Sequence, residues 1–185
     1  MKRNVAIIAL CGALGASTAC RHGGAPRGDV AAPVIPAGFA EENGNGWRLA
    51  MPSAWQRAAE STPSVWLAVD PQPVDDYRAN VSVVTEPFPG ESHDYARASE
   101  ALLRHQPGAS VETAQEAVLD GDPTLIVEAR WSAKPPTPPV EYRTMQAHLA
   151  SRGTGYVITC SVAVTAFERF RSTCDAIVKS LAVER

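Results

Sequence analysis

Two spacings of apolar residues alternate along this chain. In residues 77–85 (YRANVSVVT), Ala79, Val81 and Val83 fall on one side, and Arg78, Asn80 and Ser82 on the other. A period of two predicts a strand with one covered face. It recurs in 124–131, where Leu125, Val127, Ala129 and Trp131 oppose Glu128 and Arg130. It recurs again in 140–149, where Met145, Ala147 and Leu149 oppose Tyr142, Gln146 and His148. Residues 110–119 form the first arm of a hairpin that Asp120-Gly121-Asp122-Pro123 turns into 124–131. Residues 156–164 (YVITCSVAV) are apolar on both faces, as a central strand covered on both sides requires. Shorter strands are predicted at 46–52, stopped by Pro52, and at 65–69, closed by Asp70-Pro71.

The other spacing is helical. From 94 to 105, Tyr95, Ala98, Leu102 and Leu103 lie on adjoining turns, with Arg97, Glu100 and Arg104 on the wetter side and Pro107-Gly108 ending the run. From 166 to 181, Phe167, Phe170, Cys174, Ile177, Val178 and Leu181 form one stripe. Residues 55–59 form at most a short helix capped by Ser53, and Ser92 or Asp94 is placed to cap the longer one. Residues 86–90 and 134–139 (KPPTPP) read as loops. Hairpin-length connections exclude a doubly wound parallel sheet. The class is α+β: a central antiparallel sheet with two helices packed against it.

Before the patterned region stands a targeting segment. Lys2 and Arg3 precede the apolar run 5–14 (VAIIALCGAL), which passes through small residues to Cys20. A basic head, an apolar run of about ten residues and a small-residue exit define a secretory signal, too short for a membrane-spanning helix. Residues 1–19 are therefore assigned to a signal peptide. Ser17-Thr18-Ala19 before Cys20 resembles a bacterial lipoprotein signal, with Ser17 where that pattern has Leu. The resemblance implies lipid attachment at Cys20 and membrane association through that lipid. Residues 21–46 are rich in Gly, Pro and Ala without a sustained period. They read as a flexible tether (20–46 with its cysteine), with docking of Val34, Ile35 and Phe39 onto the domain as the alternative. The folded domain is expected over 47–185, able to fold without what precedes it.

Composition changes the picture in two places. The 185 residues carry 17 basic and 20 acidic side chains, and removing Lys2 and Arg3 leaves 15 against 20, a net of −5. That balance disfavours nucleic-acid binding and adsorption to anionic lipid. Of four cysteines, Cys11 leaves with the signal and Cys20 takes the lipid, so Cys160 and Cys174 remain to pair in an oxidising compartment. Strand alternation puts Cys160 beside Tyr156, Ile158 and Val162, and helical spacing puts Cys174 in the apolar stripe. A disulfide between Cys160 and Cys174 follows if that strand face is the one the last helix covers; two reduced core thiols are the alternative.

Candidate chemistry is sparse. Ser92-His93-Asp94 contains three triad residue types, but adjacent side chains diverge and cannot align as nucleophile, base and orienter. His93, His105 and His148 lack metal-ligand spacing. Asp70, Asp75 and Asp76 read as a solvated loop, the Glu-rich stretch 110–116 as a wet strand face, and Trp47, Trp66 and Trp131 as core. Asn80-Val81-Ser82 has the form of a glycosylation site but lies within a strand. No catalytic, cofactor or metal residue is assigned, and no cofactor is expected.

The 46–52 segment GWRLAMP, followed by ANVSVVTE at 79–86, GYVITC at 155–160 and the Phe167, Phe170, Cys174 helix ending IVKSL, resembles the PsbP/Mog1-like family, including DcrB-type bacterial lipoproteins. The resemblance spans about 46–183 and implies an α/β/α sandwich. It further implies an accessory, binding or assembly role, as in photosystem, GTPase-partner and secretion-chaperone members. The expected function is a noncatalytic, lipid-anchored envelope protein that binds a protein partner or assists assembly of an envelope complex. Its domain would face the periplasm, with the outer membrane favoured over the inner. The competing expectation is a periplasmic small-ligand or metal receptor, or a hydrolase-like enzyme, with a pocket between 77–89 and 135–139.

Overall fold

A computed structural model describes residues 35–59, 65–132 and 141–184. The signal peptide, Cys20 and the loop 134–139 lie outside the described residues. The described chain runs β1 (Phe39–Gly44), β2 (Trp47–Pro52), β3 (Gln56–Arg57), β4 (Val65–Val69), β5 (Asn80–Pro87), α1 (Ser92–His105), β6 (Ala109–Leu119), β7 (Asp122–Ser132), β8 (Glu141–Ser151), β9 (Thr154–Ala163), a single 3-10 turn, α2 (Phe167–Lys179) and β10 (Ala182–Val183). Seven strands form one antiparallel sheet in the order β3-β4-β5-β9-β8-β7-β6, and β1-β2-β10 form a second.

β9 takes the middle place that its apolar sequence demands. Tyr156, Ile158, Cys160 and Val162 point into the larger core with Val81 and Val83 of β5, Met145, Ala147 and Leu149 of β8, and Phe167, Cys174, Ile177 and Val178 of α2. The opposite face is less dry than expected, with Val157 and Thr159 half-buried. On that side, α1 covers β6, β7 and β8 through Ala96 and Leu103, which meet Leu125, Val127, Ala129 and Trp131. Two-residue turns set the hairpin registers. Asp120-Gly121 and Arg152-Gly153 all have positive φ (49°, 81°, 51° and 80°), the twist that matches right-handed strands. Gly155 answers a packing need, because a Cβ there would stand 2.6 Å from the Tyr95 ring.

Cys160 of β9 and Cys174 of α2, both fully buried, are joined by a disulfide with Cα atoms 5.4 Å apart. The strand face and the helix stripe therefore meet. α2 stops at Lys179, two residues before the expected end. Ser180 donates its Oγ hydroxyl to the Ile177 carbonyl at 2.7 Å, and the same oxygen accepts the Ala50 N–H at 2.8 Å. The chain then enters β10, which pairs with β2.

Four expectations are corrected. The tether does not extend to residue 46: 39–44 form β1, paired in register with β2 from Phe39↔Pro52 to Gly44↔Trp47. Asn45-Gly46 is a two-residue hairpin loop, and Phe39 packs on the larger core. Residues 55–59 are not helical. Gln56–Arg57 instead adds to the edge of β4, since five residues cannot nucleate a helix while Trp55 is held against Phe170 at 6.5 Å. Glu86 and Pro87 belong to β5, paired with Gly155 and Thr154, rather than to a loop. α1 starts at Ser92 with no side-chain cap.

Because β1 covers one edge of β2 and half-buries Phe39 against the core, a chain cut to 47–185 should lose about 1–2 kcal/mol relative to 20–185, on the scale of a half-buried Phe plus its strand. Urea unfolding of the two chains measures this. Coincident curves would show that β1 contributes nothing.

Candidate functional site

Of the residues with candidate chemistry, Ser92 and His148 are buried in packing, and His93, Asp94 and His105 reach the surface. Ser92 is buried in the first turn of α1, and its Oγ accepts the Ala150 N–H at 2.8 Å and donates to the Ala150 carbonyl at 3.2 Å. It staples α1 to β8. His93, the next residue, points to the surface, where its Nε2 stands 3.8 Å from Glu116. The run 92–94 therefore diverges as adjacent helical positions must. His105 bonds the Ala101 carbonyl at 2.7 Å near the end of α1. His148 lies beneath that helix, its ring edge-on to Tyr95 at 5.8 Å. Among the described residues, no group of three or more His, Cys, Asp or Glu side chains is arranged to hold a metal ion.

The acidic loop is also internally engaged. Asp70 accepts the Gln72 N–H at 2.9 Å, and Asp75 accepts the Thr165 hydroxyl. Asp75 and Asp76 take positive φ (48° and 62°), which Asp tolerates, and bring Val74 and Tyr77 together as a bridge. Trp47 and Trp66 meet edge to face at 5.3 Å within the core. Trp131 stacks on Tyr142 at 6.0 Å, and Tyr142 on Tyr77 at 5.4 Å. Burial pushes the Tyr77 hydroxyl up to about 12, although Asn80 donates to its oxygen.

Two features were not anticipated from sequence. One is an ionic cluster over the N-terminal end of α2. Arg143 of β8 contacts Glu112, Glu128 at 3.2 Å and Glu168 at 3.5 Å, while Arg171 contacts Glu128 at 2.6 Å and Glu168 at 3.1 Å. The Phe167 ring lies against both guanidinium groups, 3.8 Å from Arg143 Cζ and 4.7 Å from Arg171 Cζ. Arg171 beside it holds the Glu168 carboxyl below its usual range. A charged pair in mid-strand, Glu128 and Arg143, was the available signal. The other feature is a groove of about 400 Å³ where β6 and β7 extend past α2. Ala117, Ile126 and Met145 contribute to its floor, and Asp175 and Lys179 of α2 to its wall. The exposed polar residues of β6 were legible as a wet face, but not the groove they border.

A scan against protein-family models matches none, and a search of curated proteins finds no match. Solved structures do resemble this chain. CyanoP from Synechocystis sp. PCC 6803 is 19% identical, with 81% of this chain and 95% of that one covered at a TM-score of 0.56. The Ran-binding protein Mog1p of Saccharomyces cerevisiae is 13% identical, covering 78% and 95% at 0.54. LpqN of Mycobacterium tuberculosis, involved in cell envelope biogenesis, is 14% identical, covering 80% and 91% at 0.54. The domain has a PsbP/Mog1-like fold, an antiparallel α+β sandwich similar to those of these proteins.

His148 supplies a pH test of this packing. Complete burial lowers its pKa from 6.5 to about 4, and its Nδ1 has no hydrogen-bond partner among the described residues. The unfolded chain therefore binds the extra proton between pH 6.5 and 4, so this contribution is complete above pH 6.5 and is lost as pH falls toward 4. The loss amounts to about 3 kcal/mol. Urea unfolding at pH 7.5 and pH 4 should show the native chain losing about that much more stability than His148→Leu. Equal losses would mean that His148 is already protonated in the fold.

Proposed function

We propose that this chain is a noncatalytic, envelope-anchored protein whose PsbP/Mog1-like domain binds a protein partner or assists the assembly of an envelope complex. The observation that carries this reading is the fate of its polar chemistry. Ser92 is engaged in packing, Asp75 bonds Thr165 at the surface and His148 is buried beneath α1, while the β6–β7 face is left open as a groove. Mog1p, described as Ran-binding, and LpqN, described as involved in cell envelope biogenesis, share the fold and lend the reading support. Among the described residues, no helix is long and apolar enough to cross a membrane. Attachment is assigned to a lipid on Cys20 after cleavage of residues 1–19, from the basic head, apolar run and small-residue exit.

With β1 beginning at Phe39, only residues 21–38 separate Cys20 from the domain. Fully extended, those 18 residues reach about 60 Å, so the partner is sought close to the membrane surface.

Intact-mass analysis of membrane-purified protein should give a chain starting at Cys20 with a lipid increment, absent in Cys20→Ala. Crosslinking in intact cells should join the anchored chain to a discrete envelope protein. An unmodified chain in the soluble fraction would remove the anchor from the account, and the absence of any specific adduct would remove the partner.

A further inference from the structure

The dipeptide Asn-Gly occurs twice in succession, at 43–44 and 45–46. Asparagine is a chemically labile residue, and most so before glycine, which has no side chain to keep its backbone nitrogen from the Asn amide. By sequence the two dipeptides are equivalent. The fold makes them different, because the glycine of one is a ladder residue and the glycine of the other is a turn residue.

Gly44 closes the β1–β2 hairpin opposite Trp47. Across a two-residue loop the closing pair exchanges both backbone hydrogen bonds, so the Gly44 N–H is donated to the Trp47 carbonyl. The Trp47 ring also lies over Gly44, where a Cβ would stand 2.1 Å from it. Asn43 is held in the ladder opposite Arg48, and its Nδ2 donates to Glu41 at 3.4 Å. Of the two loop residues only Gly46 takes a positive φ (77°), as the third residue of a type II turn does. Its N–H has no hydrogen-bond partner among the described residues, and neither has the exposed Asn45 side chain.

We infer that Asn45 is a site of spontaneous conversion to aspartate and isoaspartate, selected by the turn, and that the ladder protects Asn43. The Gly46 nitrogen attacks Asn45 Cγ. The N–Cγ bond forms, the Cγ–Nδ2 bond breaks, and the Gly46 amide proton leaves with Nδ2 as ammonia. Water then opens the cyclic imide at one of its two carbonyls. Opening at Cγ leaves aspartate, and opening at the backbone carbonyl leaves isoaspartate, whose main chain runs through the former side chain. That form adds one atom to the backbone of the loop. Gly46 has little room for the shift, because its carbonyl accepts the Glu184 N–H at 3.0 Å and a Cβ on it would stand 2.6 Å from the Tyr156 hydroxyl. Conversion to isoaspartate therefore releases the Glu184 amide and loosens the end of β10.

The test is incubation of the full chain at mildly alkaline pH, folded and in urea. Mass spectrometry with electron-transfer fragmentation then locates each amide-to-acid change and separates aspartate from isoaspartate. In the folded chain Asn45 should convert about ten-fold faster than Asn43, the cost of first breaking one ladder bond. In urea the two should convert at similar rates. Equal conversion in the folded chain, faster conversion at Asn43, or a folded chain in which neither converts while the unfolded one converts both would overturn the proposal. A preference for Asn45 that persists in urea would overturn it too, by assigning the selection to sequence. In the purified isoaspartate form the Glu184 amide should exchange about ten-fold faster than in the fresh chain. Unchanged exchange there would overturn the coupling to β10.

Discussion

β9 lies fourth of seven strands, and its face of Tyr156, Ile158, Cys160 and Val162 must be kept from water by something packed against it. α2 does this, and the Cys160–Cys174 bond holds it there. Much on that side of the sheet follows from this contact. Phe167 enters the core, which brings the first turn of α2 beside Arg143 and Glu128. Ser180 reaches the Ala50 backbone, and the chain is delivered to β2 as β10. The Val183 N–H then finds the Asp120 carboxylate, linking the small sheet to the β6–β7 turn.

The same contact explains where the surface stays open. A helix of 13 residues is about 20 Å long and covers only a few strands. α2 packs on β8, β9 and β2, so the α2 side of β6 and β7 is left as a groove. On the opposite side, α1 covers β6, β7 and β8, which keeps that hairpin anchored while one of its faces stays wet. The ionic cluster about Phe167 contributes by fixing the start of α2 against β8, so the groove wall does not drift.

The elements that could be read from sequence were those whose pattern is local. The double-sided apolar run of β9, the stripe of α2 and the alternation of β5, β7 and β8 each report their own burial, and so the cysteine pair could be aligned before any coordinates. β1 and β10 were missed for the opposite reason. FAEENG and Ala182-Val183 carry no usable period, and they are strands because β2 presents two edges to be paired. The Asn45-Gly46 turn was a visible hairpin signal, masked by the polar residues before it. His148 was grouped with the polar side of its strand, and only α1 lying over that side buries it. The groove was illegible because it depends on how far α2 reaches, a tertiary fact that no single segment encodes.

Native-state hydrogen exchange on the oxidised chain and on the Cys160→Ser/Cys174→Ser double variant tests the dependence of the small sheet on α2 most directly. A closed loop of this size constrains the unfolded chain by about 3 kcal/mol, or about 100-fold in protection. The amides of α2, of Ala50 and of Val183 should lose protection together by a common factor in the double variant. Loss confined to α2, with Ala50 and Val183 keeping their oxidised protection, would contradict it and show that β1-β2-β10 stands on its own.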